Sequence, residues 1–207
     1  MIIAVDGPTA SGKGTIARAL ARHFGLPHLD TGLLYRAVGW HVASLGGDPD
    51  KSEDALAATA FSNSLLDDPA LRSEDVGALA SRVSVHPAVR EALLQRQRTF
   101  AAQPGGAVLD GRDIATVIAP DAHAKLFVTA SIAARALRRF VEMRARGEDV
   151  SRAQIEADLA ARDARDSARS VAPLRQAEGA ALLDTSALPP AAAIAAAIAL
   201  VEKQTAS

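Results

Sequence analysis

The stretch GPTASGKGT, residues 7–15, constrains the fold of this chain more than any other part of its sequence. It has the glycine and lysine spacing GxxxxGK, follows the apolar run IIAV directly, and precedes a segment with apolar residues at helical spacing. A strand, a glycine-rich turn and a helix in this order form a phosphate-binding loop, in which backbone N–H groups and the positive helix end face an anion. The sequence therefore predicts an α/β fold that binds a nucleotide through this loop.

Two details of the loop narrow its chemistry. Gly14 follows the lysine where the motif expects Ser or Thr, so the hydroxyl of Thr15, one position later, is predicted to lie near a magnesium ion. Lys13 is expected to follow the charge on the β- and γ-phosphates during transfer. A GTPase usually has an NKxD motif that reads guanine, and here the only asparagine, Asn63, is followed by Ser and Leu. Guanine recognition by that motif is therefore excluded.

Five short apolar runs lie between segments of helical pattern. They are IIAV, LPHL, AVL, AKLFV and ALL, ahead of Asp6, Asp30, Asp110, Thr129 and Asp184 respectively. Runs that are apolar throughout suit strands buried on both faces of a parallel sheet. We therefore predict a three-layer α/β fold with a five-stranded parallel sheet. The first helix should end at Gly25, and a last helix should carry Pro190 in its first turn.

Two segments interrupt this alternation within a chain that we predict to be one domain, residues 1–207. Residues 46–100 have helical patterns and no convincing strand, which predicts an insert between the second and third strands. Residues 131–172 are predicted to form two arginine-rich helices broken at Gly147. Ser151 and Gln154 are predicted to form a capping box at the start of the second helix.

Charge and composition exclude several kinds of partner. A net charge of -1 and a pI near 6.5 give no bulk attraction to nucleic acid or to an acidic membrane. The absence of cysteine rules out disulfides and thiolate metal sites. No basic segment precedes an apolar run at the N-terminus, which argues against a signal peptide or a membrane span. We expect a cytoplasmic monomer that acts on small molecules, without nucleic acid or membrane partners.

Three further clusters indicate an acceptor that also carries a phosphate. The first supplies Asp30, Thr31 and Arg36, the second Asp110, Arg112 and Asp113, and the third Arg162, Arg165, Asp166 and Arg169. Asp110, at the end of an apolar run, stands where the acidic partner of a magnesium ion usually lies. The third cluster falls on one helical stripe, and an isolated stripe of this kind is more often a solvated face with ion pairs. Arginines from three separate elements near strand ends nevertheless favour phosphate binding.

The motifs that carry these clusters resemble those of bacterial cytidylate kinases. They are GPTASGKGT, LDTGLLYR, ASRVSVHPAVREALLQRQR, LDGRDIATV and RDSARSVAPLRQAEGAALLDT, in the family's order and across nearly the whole chain. The resemblance implies a P-loop kinase fold with a small insert that binds the nucleoside monophosphate and a short arginine-rich lid. It also implies transfer of the γ-phosphate of ATP, bound with Mg²⁺, to CMP or dCMP.

The resemblance implies roles for individual residues. ATP would contact Gly7, Pro8, Thr9, Ala10, Ser11, Gly12, Lys13, Gly14 and Thr15, and CMP would contact Thr31, Arg36, Ser81, Arg90, Arg112, Asp113, Arg162, Asp166 and Arg169. Of the CMP contacts, Arg36, Arg112 and Arg169 resemble the family's grip on the phosphate, Ser81, Arg90 and Asp113 its readers of the base, and Arg162 and Asp166 its sugar-binding pair. Lys13, Arg112 and Arg169 would be catalytic, and Thr15 and Asp110 would contact Mg²⁺, directly or through water.

The chemistry of cytosine gives a separate reason for the base-reading assignment. Cytosine presents an amino donor at N4 beside the acceptors N3 and O2, and a carboxylate such as that of Asp113 can accept from N4. Arg90 and Ser81 can donate to the two acceptors. Uracil would instead turn its O4 acceptor toward the carboxylate and leave a buried charge unpaired. We therefore expect cytosine to be preferred over uracil.

The chain departs from the family pattern in the insert. The family commonly has a β-hairpin where this chain has only AFSNSLLDDP, which is too short for the usual strands. Arg82 and Ala115 also replace the family's more common residues. In the lid, Arg138, Arg139 and Arg144 are candidates either for contact with the transferring phosphate or for plain solubility.

Two alternatives remain open on the residues alone. One is another kinase of the same fold, acting on UMP, AMP or a small molecule such as shikimate. The other is a regulator that binds ATP without turnover. The base-reading residues argue against the first, and the intact Lys13, Thr15 and Asp110 argue against the second.

Overall fold

The computed structural model describes residues 1–206, and its centre is a five-stranded parallel sheet. The strands are β1 (Ile2–Asp6), β2 (His28–Asp30), β3 (Ala107–Gly111), β4 (Ala124–Thr129) and β5 (Ala181–Asp184). Their order across the sheet is β2-β3-β1-β4-β5, and β1 runs parallel to both β3 and β4. All five apolar runs therefore form strands, which confirms the predicted α/β class and the parallel sheet.

Within residues 1–206, eight α-helices follow or connect the strands. They are α1 (Lys13–Phe24), α2 (Thr31–Ser44), α3 (Ser52–Ala57), α4 (Glu74–Val83), α5 (Pro87–Ala101), α6 (Ile132–Ala145), α7 (Arg152–Ser167) and α8 (Pro190–Thr205). Two 3-10 turns, Asn63–Asp67 and Pro69–Arg72, precede α4. A single π-turn, Ile114–Ile118, follows β3. None of these helices, in residues 1–206, is long and apolar enough to cross a membrane.

The chain divides into two compact units, which we describe separately. The sheet unit comprises Met1–Leu29 and Ala101–Ser207, and the helical unit comprises Asp30–Phe100. Described residues 46–100, the predicted insert, contain no strand. The helical unit begins earlier than that insert, because α2 packs on α4 within it.

The core of the sheet unit lies where α1 and α8 pack on the sheet. Ile3 and Val5 of β1 and Leu126 of β4 are fully buried, and Leu20 of α1 and Val201 of α8 pack in the same cluster. Burial on both faces explains why β1 and β3 read as continuous apolar runs. Strand β5 lies at the edge of the sheet, and its Leu182 is exposed.

Helix ends follow the predictions in two places and differ in two others. Helix α1 ends before Gly25, which has the left-handed conformation at φ 66, and α8 begins at Pro190. The capping box is wrong, because Ser151 makes no side-chain cap and the Gln154 amide donates to Asp158 Oδ1 at 2.9 Å. The predicted stripe is also interrupted, since α7 ends at Ser167 and Arg169 lies beyond it.

Helices α6 and α7 form the predicted arginine-rich pair. They pack through Ala136 and Met143 of α6 and Ile155 and Leu159 of α7, which form a small apolar cluster of their own. Gly147 lies in the turn between them at φ 81, in the left-handed region that favours glycine. The pair is therefore held together largely by its own contacts.

Candidate active site

The predicted phosphate loop has the compact conformation that its sequence requires. A Cβ on Gly7 would lie 2.0 Å from the Val128 carbonyl oxygen, so only glycine allows β1 to turn here. Gly12, at φ 89, caps α1, and its carbonyl accepts from the N–H groups of Thr15 and Ile16 at 3.1 Å. The N-terminus of α1 therefore begins at Lys13, directly after the turn.

Two side chains of the loop are set for an anionic ligand. Lys13 Nζ donates to the Pro8 carbonyl at 3.4 Å, which keeps the ammonium group beside the loop. Ser11 is fully buried, and its Oγ has no hydrogen-bond partner within residues 1–206. A buried hydroxyl without a partner costs about 1–3 kcal/mol, and a bound phosphate oxygen would remove that cost.

A carboxylate at the end of β3 lies next to this loop. Asp110 is buried, and its Oδ1 accepts from His28 Nε2 at 2.7 Å. Its Oδ2 lies 3.6 Å from the position that a Cβ on Gly14 would occupy. Thr15, one residue further, is exposed at the start of α1. A carboxylate and a hydroxyl are the hard oxygen donors that Mg²⁺ prefers, so the residues present fit this ion.

Arg112 and Arg169 meet on one shared carboxylate. Arg112 Nε and Arg169 Nη2 each donate to Asp166, whose side chain is 0% exposed. Arg112 also donates through Nη2 to Thr9 Oγ1 of the phosphate loop at 2.5 Å. Burial alone raises the pKa of Asp166, but the charges of Arg112, Arg169 and Arg162 outweigh it and hold that pKa below its ordinary value. The carboxylate is therefore ionised and fixes both guanidinium groups.

Asp113 begins the π-turn that follows β3. It is buried, at φ -144 and ψ 23, and its side chain makes no cap hydrogen bond to the turn. The carboxylate of Asp6, at the end of β1, instead accepts from the N–H groups of Ile114 and Ala115, both at 2.8 Å. Burial raises the pKa of Asp6 to about 7, although the two N–H groups oppose this shift.

Four predicted CMP contacts lie in the helical unit. Arg36 Nη1 on α2 donates to the carbonyls of Leu71 at 2.7 Å and Ser73 at 2.8 Å. A Cβ on Gly77 of α4 would lie 2.8 Å from Arg36 Nη2, so the guanidinium lies directly against that helix. Thr31, the first residue of α2, is 3% exposed.

The two base-reading candidates of this unit are both buried. Arg90 on α5 donates through Nη1 to the Ser84 carbonyl at 3.3 Å, and its guanidinium lies 5.4 Å from the Tyr35 ring centroid. Ser81 on α4 is 3% exposed. Arg82, a departure from the family pattern, instead pairs with Asp50 near the surface.

The lid arginines occupy different environments. Arg138 on α6 donates to the hydroxyl and carbonyl of Thr185, and the Thr185 hydroxyl lies 2.9 Å from the Ser11 carbonyl. Arg144 instead pairs with the fully exposed Asp149 at 3.0 Å. Only Arg138 of this pair is therefore connected to the phosphate loop through Thr185.

An open groove of about 160 Å³ lies beside the phosphate loop. Its lining includes Gly12, Thr15, Arg138, Thr185, Leu188 and Ile194. The lining therefore combines apolar side chains with a guanidinium group and the end of the loop. A flat base with a ribose attached would fit such a lining.

Sequence analysis missed four residues that build this site. They are Asp6, His28, Arg135 and Thr185, of which Arg135 is buried and donates to the Thr9 carbonyl and to Asp163. The aspartate that ends the first apolar run was the only sequence signal for Asp6. The others contact residues far away in the chain, so no local pattern identifies them.

Comparisons with known proteins give the same family description over nearly the whole chain. A family model described as cytidylate kinase matches residues 3–203. A protein named cytidylate kinase from Xanthobacter autotrophicus is 58% identical, with 100% of this chain and 99% of that protein covered. One of the same name from Methylocella silvestris is 55% identical, covering 98% and 94%. Another, from Granulibacter bethesdensis, is 57% identical, covering 91% and 90%.

Proposed function

This chain belongs to the cytidylate kinase family, and we propose that the residues described above carry out that family's reaction. The enzyme transfers the γ-phosphate of ATP to CMP or dCMP and releases ADP with CDP or dCDP. Similarity at this level over the full chain does not favour another kinase of the same fold or a regulator without turnover. What remains to be assigned is the role of each residue.

The observation that carries this assignment is the contact between Arg112 and Thr9. Thr9 belongs to the phosphate loop, and Arg112 belongs to the group that we assign to the acceptor phosphate. A hydrogen bond of 2.5 Å between them brings a donor-binding residue and an acceptor-binding residue together within the sheet unit. Asp166 adds Arg169 to the same cluster. Two guanidinium groups at this position suit a phosphate that must receive another phosphate.

We assign the whole loop, residues 7–15, to the phosphates of ATP. The buried Ser11 hydroxyl and the N–H groups at the start of α1 support this assignment. The adenosine would occupy the groove lined by Arg138, Leu188 and Ile194, because that groove continues from Gly12 and Thr15. An aromatic base against apolar residues, with a guanidinium on one side, is a favourable arrangement.

We assign Thr15 and Asp110 to Mg²⁺, directly or through water. When bound, the ion would neutralise charge on the β- and γ-phosphates of ATP. His28 binds Oδ1 of Asp110, and Oδ2 lies near Gly14 of the loop. The position of these oxygen donors next to the loop supports the assignment.

The reaction needs no general base. The attacking oxygen belongs to a CMP phosphate that is already ionised at neutral pH, so catalysis depends on alignment and charge neutralisation. Lys13 would balance charge on the ATP side, and Arg112 and Arg169 would do so on the acceptor side. Asp166 keeps the two arginines from separating before the acceptor arrives. Helices α6 and α7 would limit water at the transferring group.

The remaining assignments concern CMP itself. Arg36 is assigned to the CMP phosphate, and Thr31 is assigned as a further CMP contact. Ser81, Arg90 and Asp113 would read the cytosine edge, and Arg162 and Asp166 would bind the sugar. The burial of Ser81, Arg90 and Asp113 supports base reading, because buried polar groups discriminate strongly against a base that leaves them unpaired.

We further propose that the enzyme acts as a cytoplasmic monomer. All the residues assigned to ATP and CMP come from one chain, so no second copy is needed to complete the assigned set. Its nucleotide substrates support a cytoplasmic location. Light scattering after size-exclusion chromatography tests the first proposal, and a dimer at enzyme concentrations used for assay would overturn it.

Coupled measurement of ADP release tests the assigned substrate and the base readers together. With MgATP and a panel of CMP, dCMP, UMP, AMP and shikimate, we expect turnover with CMP or dCMP at a kcat/KM at least about tenfold above that for UMP. Asp113→Ala should raise the KM for CMP while leaving that for ATP nearly unchanged. Preference for UMP, or an unchanged KM for CMP in this variant, would contradict the assignment.

A further inference from the structure

Asp6 is a buried carboxylate that none of the assignments above uses. It is 2% exposed at the end of β1, one residue before the phosphate loop. Its two oxygens accept from consecutive backbone N–H groups, those of Ile114 and Ala115, each at 2.8 Å. The donors are more than a hundred residues away in the chain, since Ile114 is separated from Asp6 by 108 positions. A carboxylate that binds two backbone donors holds that backbone firmly.

These donors are the N–H groups that a turn of helix normally leaves without partners. The π-turn Ile114–Ile118 begins after Asp113, which occupies its N-cap position. Aspartate is among the best capping residues, and its own carboxylate usually accepts from the second or third N–H group. Here the Asp113 side chain makes no such bond, and the acceptor comes from β1 instead. Asp6, and not Asp113, therefore caps the π-turn.

The pairing of β1 with β3 in the sheet holds Asp6 in this capping position. Strands β1 and β3 pair in register with Asp6 opposite Gly111, and the Gly7 N–H donates to the Gly111 carbonyl at 3.3 Å. The π-turn itself closes through bonds from Val117 and Ile118 to the Asp113 carbonyl, at 2.9 and 3.2 Å. A π-turn is rare and is found frequently at functional sites. Its start is thus attached directly to the strand that leads into the phosphate loop.

We propose that Asp6 is a positioning residue for cytosine recognition, which caps the π-turn so that the Asp113 carboxylate is directed to the base rather than to its own backbone. This inference rests on the assignment of Asp113 under the proposed function. Asp6 is buried and is assigned no contact with substrate, so it would act through Asp113. It also joins the base-reading turn to the residue before Gly7, so that the position of Asp113 is set relative to the phosphates of ATP within the sheet unit.

A double-mutant cycle tests whether Asp6 acts through Asp113. The variants are Asp6→Asn, Asp113→Asn and the double variant, and the measurements are kcat and KM for CMP, UMP and ATP. Asparagine has the same shape but only one acceptor oxygen, so it loses one N–H bond and turns an amide donor toward the backbone. We expect Asp6→Asn to raise the KM for CMP about tenfold and to narrow the preference for CMP over UMP, with the KM for ATP changed less than about twofold. In the Asp113→Asn background, the Asp6→Asn substitution should change the KM for CMP less than about twofold.

A matched control is Asp54→Asn in the helical unit. Asp54 Oδ2 also accepts from a backbone N–H, that of Asp48 at 2.9 Å, and has no assigned role in the reaction. This variant should leave the KM for CMP unchanged. If Asp6→Asn does not fold, Asp6→Ser removes the carboxylate without introducing an amide donor, because the shorter hydroxyl does not reach both N–H groups. The same cycle with this variant carries the same expectation.

The outcomes distinguish the assignment of Asp113 to the cytosine base from the positioning role of Asp6. Equal effects of Asp6→Asn on CMP in both backgrounds, or an equal rise in the KM for ATP, would mean a merely structural role and would overturn the positioning role alone. An unchanged KM for CMP in Asp113→Asn would overturn the assignment of Asp113 and the positioning role with it. A large effect of Asp113→Asn combined with a non-additive cycle would support both.

Discussion

The two units of this kinase hold their arginines in different ways. In the sheet unit, Arg112 and Arg169 bind a shared and fully buried carboxylate, that of Asp166. In the helical unit, Arg36 binds two backbone carbonyls, and Arg90 binds one carbonyl beside an aromatic ring. A carboxylate partner stabilises two guanidinium groups at close range, whereas a carbonyl partner orients one without cancelling its charge. The first arrangement suits a fixed catalytic centre, and in the second the backbone carbonyls orient each guanidinium group.

The difference predicts where substitutions should damage folding and where they should damage binding alone. Removing a partner from the sheet unit leaves buried charge without compensation, which is costly to stability. Removing a contact in the helical unit should mainly misplace a cation. The predictions below test this contrast, beginning with the largest expected effect.

Asp166→Asn should be the most damaging substitution. It removes the buried charge that Arg112 and Arg169 share, so we expect a loss of about 3 kcal/mol in the free energy of unfolding. The kcat should fall at least about a hundredfold, because the two arginines no longer align with the acceptor. Urea unfolding and steady-state kinetics measure both effects. The exposed pair of Arg144 and Asp149 provides the control, since Asp149→Asn should leave the free energy of unfolding essentially unchanged. Equal losses in the two variants would mean that the loss does not depend on the burial of the Asp166 carboxylate.

Within the sheet unit, Asp6 and Asp166 should change the stability of the protein with pH in opposite directions. The pKa of Asp6 is raised to about 7, chiefly by burial, so the folded chain holds a proton that the unfolded chain releases between about pH 4 and pH 7. The stability contributed by this proton is present at low pH and is lost as the pH rises through that window. Asp166 has the opposite sign, because its lowered pKa makes its contribution disappear as the pH falls below the ordinary range of a carboxyl.

Urea unfolding between pH 5 and pH 8 measures the contribution of the Asp6 proton to the free energy of unfolding, when the parent enzyme is compared with Asp6→Asn. The parent should lose stability relative to the variant as the pH rises toward 7, by at most about 1.4 kcal/mol per pH unit. Above pH 7 the two curves should become parallel. Curves that are parallel over the whole range would mean that the pKa of Asp6 is not raised.

The sequence was most informative where the signal is local. Continuous apolar runs predicted all five strands, because burial on both faces of a parallel sheet leaves no polar alternation. Gly25 and Pro190 predicted helix ends, because their backbone conformations are special. The predicted stripe on α7 extended too far, since the helix ends at Ser167 and Arg169 reaches Asp166 from the segment that follows.

Contacts between distant segments were beyond such reasoning. Arg112 and Asp166 are 54 positions apart, and Asp6 and Ala115 are 109 positions apart, so their pairing depends on the order of strands in the sheet. The chain's own periodicity carries no information about that order. Asp166 was predicted from a family resemblance, but the resemblance gave it to the sugar and not to the two arginines. The contact of Asp6 with Ala115 depends on β1 and β3 being neighbours, with Asp6 opposite Gly111.

Gly77→Ala tests the helical unit without changing any charge. A Cβ at this position would lie 2.8 Å from Arg36 Nη2, so the guanidinium must move. Alanine favours a helix over glycine by about 1 kcal/mol, and we therefore expect little or no loss of stability. The KM for CMP should rise about five- to tenfold because Arg36 is displaced, while the KM for ATP should stay the same. Ala78→Ser, at the exposed neighbouring position of α4, should alter neither constant. A marked drop in melting temperature for Gly77→Ala would show that Arg36 has a structural role instead.

The smallest expected effect is on metal binding, and its test compares one histidine from each unit. His28 binds the buried Asp110 carboxylate at 2.7 Å, whereas His41 binds the Ala58 carbonyl at 2.9 Å. His28→Leu removes the bond that directs the second Asp110 oxygen toward Gly14, so the carboxylate should present less well to Mg²⁺. We expect the Mg²⁺ concentration for half-maximal turnover to rise about threefold, with kcat at saturating Mg²⁺ within about twofold of the parent. Titration with Mn²⁺ followed by electron paramagnetic resonance, in the presence of ADP, should give the same shift in the absence of turnover. His41→Leu removes a histidine bond that has no carboxylate partner and should leave the metal dependence unchanged. A shift of equal size in both variants would mean that loss of a half-buried histidine, rather than orientation of Asp110, weakens metal binding.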